Sequence, residues 1–296
     1  MKNAWRVPEL RKKLLFTLVI IVLFRIGSVI PVPFLDPAAL SALMDQFMGE
    51  GNNFLAYQNM LSGGAFANAT LFAMGITPYI NSSIIMQLLS VAIPPLERMA
   101  KEGAEGRKKL AAITRYVTVG LGVIQGIAYY IFLRRSGIII SDWTDGFNGI
   151  FAGAVIILTF TAGTAVVMWM GEQINQHGIG NGISIILFAG IIARFSTMLS
   201  SLGTAWQLAM QGGEYTKYFF FVPLFVVLFL FIIWVITFMN DAERRIPIQY
   251  AKRVVGRKMY GGQSSHLPIK VGMGGVLPVI FASSILSIPN TIQLFV

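Results

Sequence analysis

The chain has 296 residues, 55% of them hydrophobic and 12% charged, with a formal net charge of +10 and a mean hydropathy of +0.68. An ordinary soluble domain carries about 25% charged residues, so this is the composition of an integral membrane protein. The absence of cysteine excludes disulfides and thiolate metal sites, and two widely separated histidines argue against a histidine-based metal site; no catalytic residue, metal site or cofactor is expected.

A membrane-spanning helix needs roughly 20 mostly apolar residues, and seven such runs are expected, at about 14–33, 75–93, 113–133, 150–170, 183–201, 218–239 and 273–293. The first is too long for the apolar core of a secretory signal and has no small-residue cleavage site after it, so it is expected to stay in the mature chain. The loop 34–74 that follows carries Asp36, Asp45 and Glu50 but no basic residue, and is far longer than the usual connection between helices. Its last part, LSGGAFANATLFAM, opens on helix-breaking glycines and continues as a short amphipathic stretch with Phe66, Leu71, Phe72 and Met74. Such a piece is too short to span. It is expected as a short helix re-entering the membrane, where protein or a water-filled funnel must surround it.

In the second run Ile76 and Ile80 share a helix face, while Asn81, Ser83 and Gln87 would be costly against lipid; the polar start implies a cavity, or a helix interface that opens. The region 94–115 reads as a basic loop. GEQINQHGIGNGIS at 171–184 is not preceded by a strand and matches neither the dinucleotide nor the P-loop spacing, so it reads as a tight turn between spans four and five. In span five Ile183 and Leu187 share a face, and Gly182 and Ser184 let another backbone approach. The loop 240–272 alternates Ile246, Ile248 and Tyr250, then sets Val254, Val255, Met259 and Tyr260 about Gly256, which suits a hairpin. Arg253, Arg257 and Lys258 would stand at its tip, either as binders of phosphate backbone or as a solvated, topology-setting face. Span seven, GGVLPVIFASSILSIPN, mixes small and polar residues with Pro278 and Pro289.

Basic residues near span ends stay on the cytoplasmic side. Lys2, Arg6, Arg11, Lys12 and Lys13 precede span one; Arg98, Lys101, Arg107, Lys108, Lys109 and Arg115 lie between spans two and three; Arg244, Arg245, Lys252, Arg253, Arg257, Lys258 and Lys270 lie between spans six and seven. With seven alternating spans all three groups fall on one side, which places the N-terminus inside and the C-terminus outside. That orientation is opposite to a seven-helix receptor or rhodopsin, and span seven has no lysine to hold retinal. The positive loops also suit anionic lipid.

Taken together, RIGSVIPVP at 25–33, LSGGAFANATLFAMGITPYINSSIIMQLL at 61–89, KEGAEGRKKL at 101–110, GEQINQHGIGNGISIILFAGI at 171–191 and RRIPIQYAKRVVGRKMYGGQSSHLPIKV at 244–271 closely resemble the bacterial SecY family, the channel subunits of the Sec translocon. The resemblance implies an all-α polytopic membrane protein in which ten spans form two inverted five-helix halves around a pore. Only the first seven are matched here: 1–201 as the N-terminal half and 202–296 as part of the second, cut short after span seven. It also implies that 61–73, with Gly63, Gly64, Ala65, Phe66, Asn68 and Leu71, is the plug, which small residues should leave loosely packed. Ile76, Ile80, Ile183, Leu187 and Ile280 would form the pore ring, and Asn81, Gln87, Ser283, Ser284 and Ile288 would belong to a lateral gate between spans two and seven. By the same resemblance Arg253, Arg257 and Lys258 would dock the ribosome, through its rRNA backbone and exit-tunnel proteins, or the SecA motor ATPase. SecE and SecG would be partner subunits, signal sequences and nascent chains the clients, and the bacterial plasma membrane the location.

The function expected from this resemblance is translocation of unfolded polypeptides and lateral release of hydrophobic segments into the bilayer. An alternative of another class, a secondary transporter of a small solute, requires ionisable groups at mid-membrane, whereas only Arg25 lies deep within a span, inside the family motif. A further alternative is a non-conducting fragment.

Overall fold

The computed structural model describes residues 7–49, 53–211, 216–248, 253–255, 258–260, 265–272 and the single positions 282 and 286; span seven, expected at 273–293, lies essentially outside them. The chain forms two compact units, one running to Thr197 and one from Met198 to Ala282. In chain order the first holds α1 (Pro8–Gly27), α2 (Pro37–Gly49), α3 (Asn53–Leu61), α4 (Thr77–Ala92), α5 (Pro94–Lys101), α6 (Ala104–Arg135), α7 (Gly146–His177) and α8 (Gly182–Ala193). Helix α9 (Phe195–Gln211) begins at the boundary, and the second unit continues through α10 (Tyr218–Asp241) and strands β1 (Glu243–Ile248), β2 (Arg253–Val255), β3 (Lys258–Tyr260) and β4 (Ser265–Lys270). Four stretches among the described residues are long and apolar enough to cross a membrane, Ala104–Arg135, Gly146–His177, Gly182–Gln211 and Tyr218–Asp241, and a fifth is the bent pair α4–α5. The protein is a multi-pass membrane protein.

Several boundaries follow from local chemistry. α1 starts on Pro8, whose missing N–H costs nothing in a first turn, and ends earlier than expected, at Gly27; the Ser28 N–H closes on the Phe24 carbonyl before Pro31 and Pro33 make the chain turn. α4 stops at Ala92 because Ile93 precedes a proline pair and takes an extended conformation (φ −109°, ψ 112°), as the pre-proline clash requires. The chain bends there by 102°. The region 94–115, expected as a loop, is therefore mostly helical: α5 after the bend, then α6 from Ala104. The expected turn at 171–184 is likewise shorter, since α7 continues to His177.

α7 is the spine of the first unit, packing against α1, α4, α6 and α8. Small residues make this possible, as in other membrane bundles: Gly122 and Gly126 of α6 face Thr161, Thr164 and Phe160 of α7, and Gly182 of α8 lies on the Gly171 carbonyl, where a Cβ would come within 2.0 Å. Polar groups between helices are paired locally. Ser82 of α4 shares a hydrogen bond with Thr118 of α6, and Arg115 of α6 meets Glu172 of α7 at 2.7 Å. Two apolar clusters result. One gathers Val32, Leu40, Met44, Tyr129, Leu133 and Phe160; the other gathers Ile20, Phe24, Val167, Met170, Ile174 and Ile186.

In the second unit α10 carries large apolar side chains exposed on all sides, as a helix facing lipid does. β1 pairs antiparallel with β4, from Glu243 opposite Lys270 to Ile248 opposite Ser265. β2 pairs antiparallel with β3, Arg253 opposite Tyr260 and Val255 opposite Lys258. This is the hairpin expected in loop 240–272, with Arg253 and Lys258 on its strands; Arg257 lies outside the described residues.

The glycine contacts give a direct test of this packing. Gly182→Ala is expected to lower stability by about 1–3 kcal/mol, because the new methyl overpacks the α7–α8 contact. Gly120→Ala, in α6 with nothing within 4 Å of its Cβ position, is expected to be neutral or slightly stabilising, since alanine is the better helix former. Thermal denaturation in one detergent reads both, and equal midpoints would contradict the close approach of Gly182 to Gly171.

Candidate functional site

The site is assembled around residues 62–76, which join α3 to α4. The short helix expected over 61–73 is not formed: α3 ends at Leu61 and a succession of turns follows. Gly63 (φ 68°), Gly64 (φ 93°) and Ala69 (φ 40°) have left-handed backbone conformations, which a right-handed helix cannot accommodate. Three-residue turns replace the helical ladder, with the N–H groups of Ala65, Ala69, Ala73 and Gly75 donating to the carbonyls of Ser62, Phe66, Thr70 and Phe72.

Because these turns leave backbone groups open, neighbouring elements satisfy them. The Leu71 N–H donates to the Ile30 carbonyl at 2.9 Å, and the Val32 N–H to the Ala69 carbonyl at 3.1 Å. Asn59 Oδ1 accepts from the Ala67 N–H, and Ser62 Oγ accepts from the Phe66 N–H. Two side chains from further away donate to the segment's carbonyls: Tyr129 Oη to Phe66 O at 2.7 Å and Arg25 Nη1 to Gly63 O at 3.3 Å.

Close packing accompanies these bonds, so the loose packing expected of small residues is not observed. Glycines on three helices form sockets for the segment. A Cβ on Gly163 of α7 would fall 1.9 Å from the Leu71 carbonyl oxygen, one on Gly27 of α1 would enter the Phe72 ring, and one on Gly190 of α8 would sit 2.9 Å from the Leu61 carbonyl oxygen. Of the plug residues expected from sequence, Gly63, Ala65 and Phe66 are buried, Gly64 and Leu71 half-buried and Asn68 exposed. Asn68 folds back to donate to the Gly64 carbonyl.

Four residues expected in an apolar ring, two at the start of α4 and two on α8, fall on one apolar cluster. Ile76 is buried in the cluster of Ile20, Phe24, Phe72 and Ile186, and Ile80, Ile183 and Leu187 pack on that cluster half-buried. Ile76 caps the N-terminus of α4 and accepts the Ile80 N–H at 3.1 Å, which fixes the two in succession. On α8 the N-cap Asn181 accepts from the Ile183 and Ser184 N–H groups, and Asn175 Oδ1 takes the Gly182 N–H at 2.7 Å. The polar turn after α7 thereby aims α8. The fifth position, Ile280, lies outside the described residues.

Of the residues expected at a lateral gate, Asn81 is 8% exposed, and its Oδ1 is buried with no hydrogen-bond partner among the described residues. Gln87 is exposed, with Nε2 3.5 Å from Ser83 Oγ; Ser283, Ser284 and Ile288 lie outside the described residues. Sequence reasoning passed over Tyr129 and the socket glycines Gly27, Gly163 and Gly190. The tyrosine had a signal, since a phenol within an apolar span requires a hydrogen-bond partner; nothing in the sequence says which carbonyl it meets.

No group of three or more histidine or acidic side chains that could hold a metal occurs among the described residues. What the site offers is an apolar cluster joined through Phe72 and Ile76 to a hydrogen-bonded turn segment.

Comparison with known proteins agrees with the architecture. The family model for SecY matches residues 70–296. Protein translocase subunit SecY of Streptomyces scabiei is 45% identical over 99% of this chain and 66% of its own length; that of Mycobacterium tuberculosis H37Rv is 41% identical over 98% of this chain and 64% of its own. The chain thus spans just under two thirds of the length of these relatives. Among solved structures, one described as a protein conducting channel superposes with a TM-score of 0.58 at 18% identity, covering 96% of this chain and 58% of the other. Sec61 in the canine ribosome–channel complex superposes with a TM-score of 0.57 at 18% identity, covering the same shares. These two carry the fold. With sequence identity along nearly its whole length, a family match over most of it and a channel-like helical arrangement, the chain belongs to the SecY family.

Proposed function

We propose that this chain forms the pore-bearing part of a protein-conducting channel that passes unfolded polypeptides across a bacterial plasma membrane and releases apolar segments sideways into lipid. The observation that carries the reading is that Ile76, the N-cap of α4, Ile80 of α4, and Ile183 and Leu187 of α8 meet in one apolar cluster, which also takes in Phe72 of the turn segment. An apolar constriction resists ions by dewetting, yet it offers a passing chain no hydrogen bonds by which to select among sequences. On this reading Ile280 completes the described part of the ring, and the segment around 61–73 is the plug.

The lateral exit lies between α4 and the seventh span, with Asn81 and Gln87 on one side and Ser283, Ser284 and Ile288 on the other. The buried Asn81 oxygen, which has no partner among the described residues, supports it, because a buried acceptor requires a partner or water. Residues 1–201 form the first half of the channel and 202–296 part of the second. The hairpin of β2 and β3 docks the ribosome or the SecA motor through Arg253, Arg257 and Lys258, SecE and SecG are the companion subunits, and translocation draws its energy from these partners. Relatives named as translocase subunits in Streptomyces and Mycobacterium support the bacterial setting.

Placing asparagine at two ring positions, Ile80→Asn with Ile183→Asn, in a chain completed to the family's full length is expected to wet the constriction. Ion leak across reconstituted vesicles should rise severalfold while polypeptide still passes. Leak equal to the parent's, together with loss of uptake of a small solute, would favour the transporter reading. For the hairpin, Arg257→Glu with Lys258→Glu is expected to weaken ribosome or motor binding at least tenfold. Binding by the parent should itself fall steeply between 50 and 200 mM salt, the range over which phosphate contacts are lost. Affinity insensitive to both would return these charges to a purely topological role.

A further inference from the structure

We infer that Tyr129 and Arg25 are positioning residues that latch the 62–76 segment shut, and that the α6–α7 face around Tyr129 is the surface from which the segment must detach to open the pore. The inference rests on the channel reading above for the meaning of "open", but the latch itself rests on contacts made by named atoms.

Tyr129 holds the segment at two points. Its ring, 1% exposed, stacks on Phe66 with centroids 4.5 Å apart and an interplanar angle of 27°, and is backed by Phe160 at 5.2 Å. Its hydroxyl, at the end of the same side chain, donates to the Phe66 carbonyl at 2.7 Å. A phenol buried in the apolar cluster that holds Leu133, Ile156, Phe160 and Met74 cannot exchange that carbonyl for water without the site opening. Departure of the segment therefore leaves a buried donor unpaired until water or a passing chain replaces it.

Arg25 acts from α1. It is exposed, and its guanidinium donates to the Gly63 carbonyl, at the residue whose left-handed conformation starts the turns. At 3.3 Å this bond is longer than the 2.7 Å bond of Tyr129, so Arg25 sets the position of the segment's beginning while Tyr129 sets the barrier to its release. Gly63, which Arg25 binds, also lies against α8, where a Cβ on it would fall 2.8 Å from the Gly190 carbonyl oxygen. With the Leu71 carbonyl seated on Gly163, the segment is held against α8 near its start and against α7 further along. Such a device gives a closed state defined by direction and distance, which an apolar ring alone does not.

The test is hydrogen–deuterium exchange on the purified chain in lipid nanodiscs, comparing the parent with Tyr129→Phe, which keeps the ring and removes the donor, and with Arg25→Gln. Amides within 62–75 are expected to exchange about tenfold faster in Tyr129→Phe and about threefold faster in Arg25→Gln, while amides of α6 and α7 remain as protected as in the parent. Unchanged exchange at 62–75 in a variant removes that residue from the latch, and acceleration spread equally over α6 and α7 overturns the inference by making the role one of general packing. Ion leak through the same variants, completed to the family's full length in vesicles, separates the two readings. Faster exchange with unchanged leak leaves the latch in place and overturns the assignment of 62–76 as the closing element.

Discussion

Buried backbone that forms no regular helix must find partners for its N–H and C=O groups, and the elements around the 62–76 segment supply them. The Ile30 carbonyl and the Val32 N–H form a short bridge with it from one side. Asn59 and Ser62 close it from within, and Tyr129 and Arg25 reach it from α6 and α1. Remove the turns and most of these polar groups lose their purpose. The surrounding helices would then be an ordinary apolar bundle.

Glycines supply the complementary condition. A carbonyl can lie against a helix only where the facing residue has no side chain, and Gly163 and Gly190 provide such places on α7 and α8. The same two helices hold each other through Gly171 and Gly182, so one spine of small residues serves both permanent helix packing and a contact that must be reversible on the channel reading. The difference lies in what accompanies each contact. Between α7 and α8 the glycine approach is buttressed by Val167, Met170, Ile174 and Ile186, whereas over the segment it is accompanied by hydrogen bonds that water or polypeptide can replace.

Much of this was legible from residue patterns. The apolar runs in spans three to six fall within α6, α7, the α8–α9 stretch and α10, and the four-residue spacings of Ile76 with Ile80 and Ile183 with Leu187 place both pairs on one cluster. The hairpin of β2 and β3 was also visible in the apolar residues flanking Gly256. What failed did so for physical reasons. The amphipathic pattern and the family resemblance made 61–73 a short helix, but Ala69 takes a left-handed conformation (φ 40°) that no propensity announces, and its carbonyl is engaged by Val32, a residue far off in sequence. The basic stretch 94–115 concealed α5 because charge outweighed the helix-start signal of the Pro94–Pro95 pair. Small residues suggested looseness, yet the carbonyls of Leu61 and Leu71 and the ring of Phe72 lie within contact of Gly190, Gly163 and Gly27.

The polar start of α4 ties these features together. Thr77 donates to Gln58 of α3, Ser82 binds Thr118 of α6, and Asn81, between them in character, keeps a buried oxygen without a partner among the described residues. Thr77 and Ser82 tie α4 to α3 and α6, so movement of the helix as a whole must break these bonds. Asn81 Oδ1, with no partner among the described residues, adds no such tie within them; a buried acceptor left unpaired costs roughly 1–3 kcal/mol. On the channel reading, water entering the seam, or a peptide amide passing through it, is a donor that this oxygen can accept. The polar start of α4 thus divides into two side chains tied to α3 and α6 and one, Asn81, whose oxygen neither of those helices satisfies, and it is there that the channel reading puts the seam.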